Sequence, residues 1–340
     1  MGTSAITKGA PVAEAEKIDV KSEVARALIA AMEKGETPWQ KPWAAASLKP
    51  VNAATGNGYR GVNRLLLALA AKGDPRWATY QQAQANGWQV RRGEKGTPIV
   101  KVVEVARGCA DGPEFAGRAN GALDTGGNAS ERDAGQARKA FALRRYVVFN
   151  AQQMDGVPPM DVLVERPFDP VERAEAVILA LKEKTGLLLV HGGDQACYVP
   201  ALDEIRLPAK KSFASVYDYY ATALHEGAHS TLHKKRMDRH EAIAKRWGDE
   251  AYAVEELRAE ICSAILAAET GVPMGQAHID NHAAYLKHWL KVVASDPMAI
   301  FSAAKDAELM AEYMLGLEMQ MTAMDAHKEW IQDYDQAMER

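Results

Sequence analysis

Residues His225-Glu226-Gly227-Ala228-His229 set two histidines four positions apart, with a glutamate directly after the first. On a helix, residues i and i+4 project from one face, so both imidazoles can share a single cation. Zinc binds neutral imidazole nitrogens well, and a catalytic zinc site keeps three protein ligands and one position for water. Glu226, beside the first histidine, is placed to take a proton from that water as general base. So short a pattern also arises by accident. Its weight comes from the stretch before it, where Val216, Tyr219, Tyr220, Ala223 and Leu224 make the helix apolar enough to be buried in a core.

A third ligand must come from elsewhere, and the downstream helical run offers Glu255, Glu256 and Glu260. Glu256 and Glu260 stand at i, i+4, beside an apolar neighbourhood of Ala253, Leu257, Ile261 and Ala264. Glu256 is assigned as the third metal ligand and Glu260 as the carboxylate that supports a ligand histidine. The other reading of the spare glutamates is a solvated helix face. His233 continues the same row, but three ligands rising along one straight helix cannot easily surround one ion. Zinc (Zn2+) is the expected cofactor, with other divalent metals such as manganese, cobalt or nickel left open. Zinc with this motif and a downstream glutamate is the chemistry of peptide-bond hydrolysis. Tyr252 is either a donor to the oxyanion or a core aromatic. A purely structural metal site would use the same ligands, so turnover stays open.

A second kind of chemistry is written in the charge distribution. Residues 1–150 hold 22 Lys/Arg against 14 Asp/Glu, whereas residues 151–340 hold 19 against 31. All nine histidines fall in the acidic half and four of the seven tryptophans in the basic half. Trp39 and Trp43 bracket Lys41; Asn57, Tyr59, Arg60, Asn63 and Arg64 follow; then come Trp77, Trp88, Arg91, Arg92 and Lys95. Aromatics interleaved with cations suit single-stranded nucleic acid, whose bases stack and whose phosphates meet Lys and Arg. The competing reading is that the tryptophans are core and the run Arg91–Lys95 a solvated turn.

These residues need elements to position them. Residues 1–18 lack periodicity and are expected to be a flexible tail. Val20, Val24, Leu28 and Ile29 share one face of a helix that Asp19 can cap and Gly35 can end. A second helix is expected from Asn63 and a third segment near Tyr80. The run 88–105 reads as a hairpin that turns at Arg91–Gly96. Residues 107–137, rich in Gly, Ala, Asn and Asp, read as a disordered insertion, and strand character resumes at Leu143. A Pro-rich link then divides the chain. Beyond it come an amphipathic helix, short strands of a small sheet, the helix carrying the histidines, the glutamate helix and further helices. The fold class is therefore α+β in two domains: a small α+β domain over 19–155 and a mostly helical one with a small sheet over 165–340. No apolar run approaches the roughly 20 residues of a membrane span, no secretory signal is present, and three scattered cysteines make no disulfide framework. A cytoplasmic, membrane-free location is expected.

Several stretches resemble a known family. GETPWQKPW (35–43), PVNAATGNGYRGVNRLLL (50–67), WATYQQAQANGWQVRRGEKGTPIV (77–100) and YVVFNAQQMDG (146–156) resemble the N-terminal domain of the ArdC-type antirestriction proteins of conjugative plasmids. That domain is also present in plasmid TraC-type primases. ACYVPALDEIRLPAKKSF (196–213), YYATALHEGAHSTLHKKRMDR (219–239) and GDEAYAVEELRAEI (248–261) are similar to the zincin-like metallopeptidase domain of the same proteins. The resemblance implies a single-stranded-DNA-binding domain fused to a metallopeptidase-like domain. Such a protein protects incoming conjugative DNA from host restriction, with a restriction component as a possible protein substrate. The interior pair Gly227–Ala228 departs from the family's usual Leu-Gly, a change that bears on helix packing rather than ligation. Two alternatives stay open: a peptidase whose main work is cleaving DNA-associated or restriction proteins, and a DNA-binding protein with a structural metal.

Overall fold

The structure, a computed structural model, describes residues 20–34, 49–70, 72–105, 140–160, 170–239, 249–273, 286 and 288–338. The expected tail (1–18), the insertion (107–137) and Trp39, Lys41 and Trp43 lie outside these residues.

Helix α1 (Val20–Glu33) buries Val24, Leu28 and Met32, the one-face spacing read from the sequence. Strand β1 (Val51–Asn52) leads to helix α2 (Val62–Leu69), entered through Gly61 at φ 57°, a left-handed conformation that favours glycine. Strand β2 (Arg76–Thr79) passes into helix α3 (Tyr80–Ala85) through a capping box between Thr79 and Gln82. Strands β3 (Gln89–Val90), β4 (Thr97–Val105), β5 (Ala140–Asn150) and β6 (Met154–Asp155) complete this half.

The hairpin expected over 88–105 does not form. β3 pairs with β6, and β4 pairs antiparallel with β5 in a sheet of order β1-β2-β5-β4. The register explains the choice: β5 offers β4 a ladder from Thr97↔Val148 to Val105↔Ala140, whereas β3 spans only two residues. Gln153 then fixes the turn, donating from Nε2 to Glu94 and to the Lys95 carbonyl.

In the second half, α4 (Pro170–Thr185) precedes a three-stranded sheet of β7 (Leu188–His191), β8 (Cys197–Val199) and β9 (Glu204–Leu207), in the order β7-β9-β8. Helix α5 (Val216–Ser230) begins at Ser215, whose side chain accepts from the Asp218 N–H. Helix α6 (Asp249–Thr270), a helical segment over 288–295 and the long α7 (Met298–Met338) follow. The layout is α+β in two parts, a sheet-based N-terminal unit and a mostly helical C-terminal unit. Among the described residues, no helix is long and apolar enough to cross a membrane.

The two parts share their largest core. Leu28, Leu65 and Val100 from the first join Leu181, Leu224, Leu257, Met310 and Met314 from the second. Ion pairs rim this junction: the Arg64 guanidinium lies 2.8 Å from Glu308 and Lys49 lies 2.9 Å from Glu269. Arg60 pairs with Glu312, and the Gly61 N–H donates to Glu308. Two cations expected to meet phosphate thus hold the second half of the chain instead.

Candidate metal centre

Helices α5 and α6 meet so that His225 faces Glu260 while His229 faces Glu255 and Glu256. The two helices therefore pass each other in opposite senses. Their side chains converge: the Nε2 atoms of His225 and His229 lie 3.1 Å apart, and the Glu256 carboxylate lies 3.6 Å from the first and 3.4 Å from the second. Ligands about 2.0–2.1 Å from a tetrahedral ion lie about 3.3–3.4 Å from one another. The three groups thus carry the edge lengths of one coordination site. Among the described residues they are the one set of His, Cys, Asp or Glu able to hold an ion.

The far side of each imidazole also faces a carboxylate. His225 Nδ1 lies 3.4 Å from Glu260, which is fully buried, and His229 Nδ1 lies 3.6 Å from Glu255. A carboxylate on Nδ1 fixes the ring's orientation and leaves Nε2 for a cation. Glu255 is itself clamped: Arg239 donates to both its oxygens at 2.9 and 3.1 Å, and Arg258 donates at 3.5 Å while bonding Asp306 at 2.8 Å. Arg239 also donates to Thr231 at 2.8 Å, tying this clamp to the end of α5.

The electrostatics follow from crowding four carboxylates around two rings. Burial works against charge on His225, but Glu256, Glu260 and Glu226 outweigh it and hold the imidazole well above its ordinary range. Burial likewise lowers His229, yet Glu255 and Glu256 carry it up to about 9. Burial alone would raise Glu256; its two histidine partners instead depress it far below the usual carboxylate range. The polypeptide by itself presents a negative pocket that waits for positive charge, from protons or from a cation.

Glu226 is buried on α5, and its carboxylate forms no hydrogen bond or ion pair with a described residue. Gly227 explains the small residue inside the motif. A Cβ there would come within 2.9 Å of the Met314 side chain and 3.4 Å of Leu181, so α4 and α7 close on the helix at this point. Behind the site, buried Arg236 donates to the Ser230 carbonyl, Tyr198, Thr185 and Asp203, joining the end of α5 to the small sheet. His233 faces Asp203 in that network, at 3.5 Å, rather than the two histidines. Tyr252 is 57% exposed and is no core aromatic.

The sequence missed Glu255, Arg239 and Arg258 as supports. Glu255 was visible as a candidate. Its role depends on the angle at which α6 meets His229, which no spacing on α6 reveals.

The residues expected to bind nucleic acid separate into groups. Trp77 is 2% exposed and packs with Leu67, Ile99 and Val148, so it is core and cannot stack a base. Trp88 packs against the Ala83 and Val90 cluster. Tyr59 is half-buried, its hydroxyl accepting from Asn52. Asn63 spends its carboxamide on the main chain of Val100. Arg64 is buried, and Arg60 is paired as described. Arg91 is exposed but bonded to Asp155 and Glu94. Asn57, Arg92 and Lys95 are exposed, and neither cation forms an ion pair with a described residue.

A sequence profile of the N-terminal domain of anti-restriction factor ArdC matches residues 18–149, and one of a zincin-like metallopeptidase matches residues 172–306. The chain is 42% identical over 300 residues to a DNA primase TraC of Escherichia coli, covering 87% of this chain but only 27% of that protein. It is 36% identical over 303 residues to the uncharacterized protein y4eC of Sinorhizobium fredii, covering 87% of this chain and 91% of that one. Among solved structures, the metal-free antirestriction protein ArdC from plasmid R388 superposes with a TM-score of 0.68 at 32% identity, covering 89% of this chain and 99% of the other. A Mn(II)-bound structure of that protein gives a TM-score of 0.67 at 32% identity, covering 88% and 98%.

Proposed function

The chain belongs to the ArdC family of antirestriction proteins, and on that premise we propose that it binds single-stranded DNA during conjugative transfer and holds one divalent metal at His225, His229 and Glu256. The observation that carries the metal reading is the convergence of the two Nε2 atoms and the Glu256 carboxylate, with both Nδ1 atoms facing further carboxylates. The Mn(II)-bound relative supports a divalent ion, manganese as readily as zinc. A basic N-terminal unit, taken as residues 19–155, supplies the DNA-binding part, and the unit over 165–340 supplies the metal.

A divalent ion bound there would polarise a carbonyl and acidify a bound water. Glu226 is the group on this chain that can accept the water's proton. Its carboxylate is buried beside His225 and is not spent on a structural contact with any described residue. Glu260 and Glu255, facing the Nδ1 atoms, would orient the two rings. This is the architecture of a metallopeptidase, and hydrolysis of a restriction component or a DNA-associated protein is the activity it would serve.

One variant separates the two jobs. Glu226→Gln is expected to keep metal and oligonucleotide binding and to abolish any peptide hydrolysis. If antirestriction in a conjugation assay survives this change, protection rests on DNA binding and not on turnover. If the variant still hydrolyses peptide, Glu226 is not the base.

A further inference from the structure

Strands β4 and β5 run antiparallel over nine register pairs, which places Lys101 directly opposite Arg144. Directly opposed residues point to the same face of a sheet, and like charges there cost stability. The main chain fixes the geometry further. The Asn63 carboxamide accepts from the Val100 N–H and donates to the Val100 carbonyl, so those groups turn away from β5. The polar main-chain groups of Lys101 therefore turn toward β5, in a pair bonded to Arg144.

Both side chains are exposed, and neither forms an ion pair with a described residue. Strand alternation adds Ile99 and Val103 of β4, and Ala142, Tyr146 and Val148 of β5, to the same face; Ile99 and Val148 are buried against Trp77 and Leu67 at one end of it, and none is acidic. Tyr146, two residues from Arg144, leaves 38% of its surface open. The opposite face behaves differently: Arg145, one residue on, lies 3.3 Å from Glu23 of α1. The ribbon pairs Arg145 with α1 and leaves the two opposed cations exposed beyond the buried end of their face.

We propose that this face, through Lys101, Arg144 and Tyr146, is a track for single-stranded DNA. Phosphate lies across the two cations and a base lies on the Tyr146 ring. The inference rests on the single-strand reading of this protein and assigns it to residues outside the candidate set read from the sequence. A polyanion removes the cost of the opposed charges. An exposed ring beside them selects a strand whose bases are free to stack, since duplex bases are stacked inside. Of the sequence's own candidates, Trp77 and Arg64 are buried and Asn63 is bonded to the Val100 main chain.

The test exploits the conflict between stability and binding. In the full chain, Lys101→Glu creates an attractive cross-strand pair with Arg144, so Tm is expected to hold or rise. Affinity for a fluorescent oligothymidylate is expected to fall about ten-fold, with the log K against log salt slope shallower by about 0.7 per lost phosphate contact. Tyr146→Leu is expected to weaken binding several-fold at unchanged salt slope, and Lys211→Glu, outside this face, to change neither. If Lys101→Glu lowers Tm, the same comparison is made on Lys101→Gln and Arg144→Gln. Wild-type affinity and slope in these variants overturn the track while the single-strand reading stands. A wild-type chain that fails to bind oligothymidylate at low salt overturns both. An equal loss on a duplex of the same length makes the face a general polyanion surface and overturns the single-strand assignment.

Discussion

At the residue scale, His229 faces a carboxylate at each nitrogen, Glu256 near Nε2 and Glu255 near Nδ1, and Glu255 is gripped in turn by Arg239 and Arg258. Removing the charge with Glu255→Gln should weaken metal binding by about 10-fold or more, as read by isothermal titration with Mn(II) or Zn(II). An unchanged affinity would mean that His229 is oriented by packing alone. The raised histidines also set a pH dependence. A group whose folded pKa lies above its unfolded value stabilises the fold below the unfolded pKa, about 6.5, and loses that contribution as pH rises through the folded one, about 9 for His229. Chelator-treated protein should therefore lose Tm between pH 7 and 9, while metal-loaded protein should not, because metal replaces the protons. Metal uptake at neutral pH should release protons, seen as a dependence of the titration enthalpy on the buffer. The histidine pair was legible because i, i+4 spacing puts both rings on one face, and Glu256 was one of three candidates on the next helix. Arg239 sits beyond α5 with no periodic signature, so its grip on Glu255 was not.

At the element scale, the motif helix is packed closely by α4 and α7 at Gly227. Gly227→Leu should destabilise the chain by about 1–3 kcal/mol through overpacking, and Met314→Ala should recover part of that loss in denaturant melts. If Gly227→Leu is neutral, α7 is not tight against α5. The helices themselves were plain from their apolar faces, α1 through Val24 and Leu28 and α5 through Tyr220 and Leu224. Strand partners were not. The segments at 89–90 and 97–105 were both visible, but local turn signals at Gly93 and Gly96 could not reveal that β5, more than forty residues on, offered β4 the longer ladder. Pairing is decided by competition between ladders, which a window of sequence does not contain.

At the scale of the whole molecule, the charge asymmetry that suggested two partners is partly spent between the halves themselves. Arg64 of the basic half is buried against Glu308 of the acidic half. Breaking this buried pair with Arg64→Met should cost about 3–5 kcal/mol, seen as a lower denaturation midpoint, with the salt slope of oligonucleotide binding unchanged. A normal midpoint with a shallower slope would return Arg64 to the DNA surface. The N-terminal unit, docked through Leu28, Leu65 and Val100 on a core shared with α7, is built as one body with the helices that carry His225, His229 and Glu256. The claim on which this account turns is the metal itself. An anomalous difference map from crystals of the full chain grown with Mn(II) should show one peak, between His225 Nε2, His229 Nε2 and Glu256, and none in crystals of Glu256→Gln. A map with no peak there, or with its strongest peak on other residues, would contradict it.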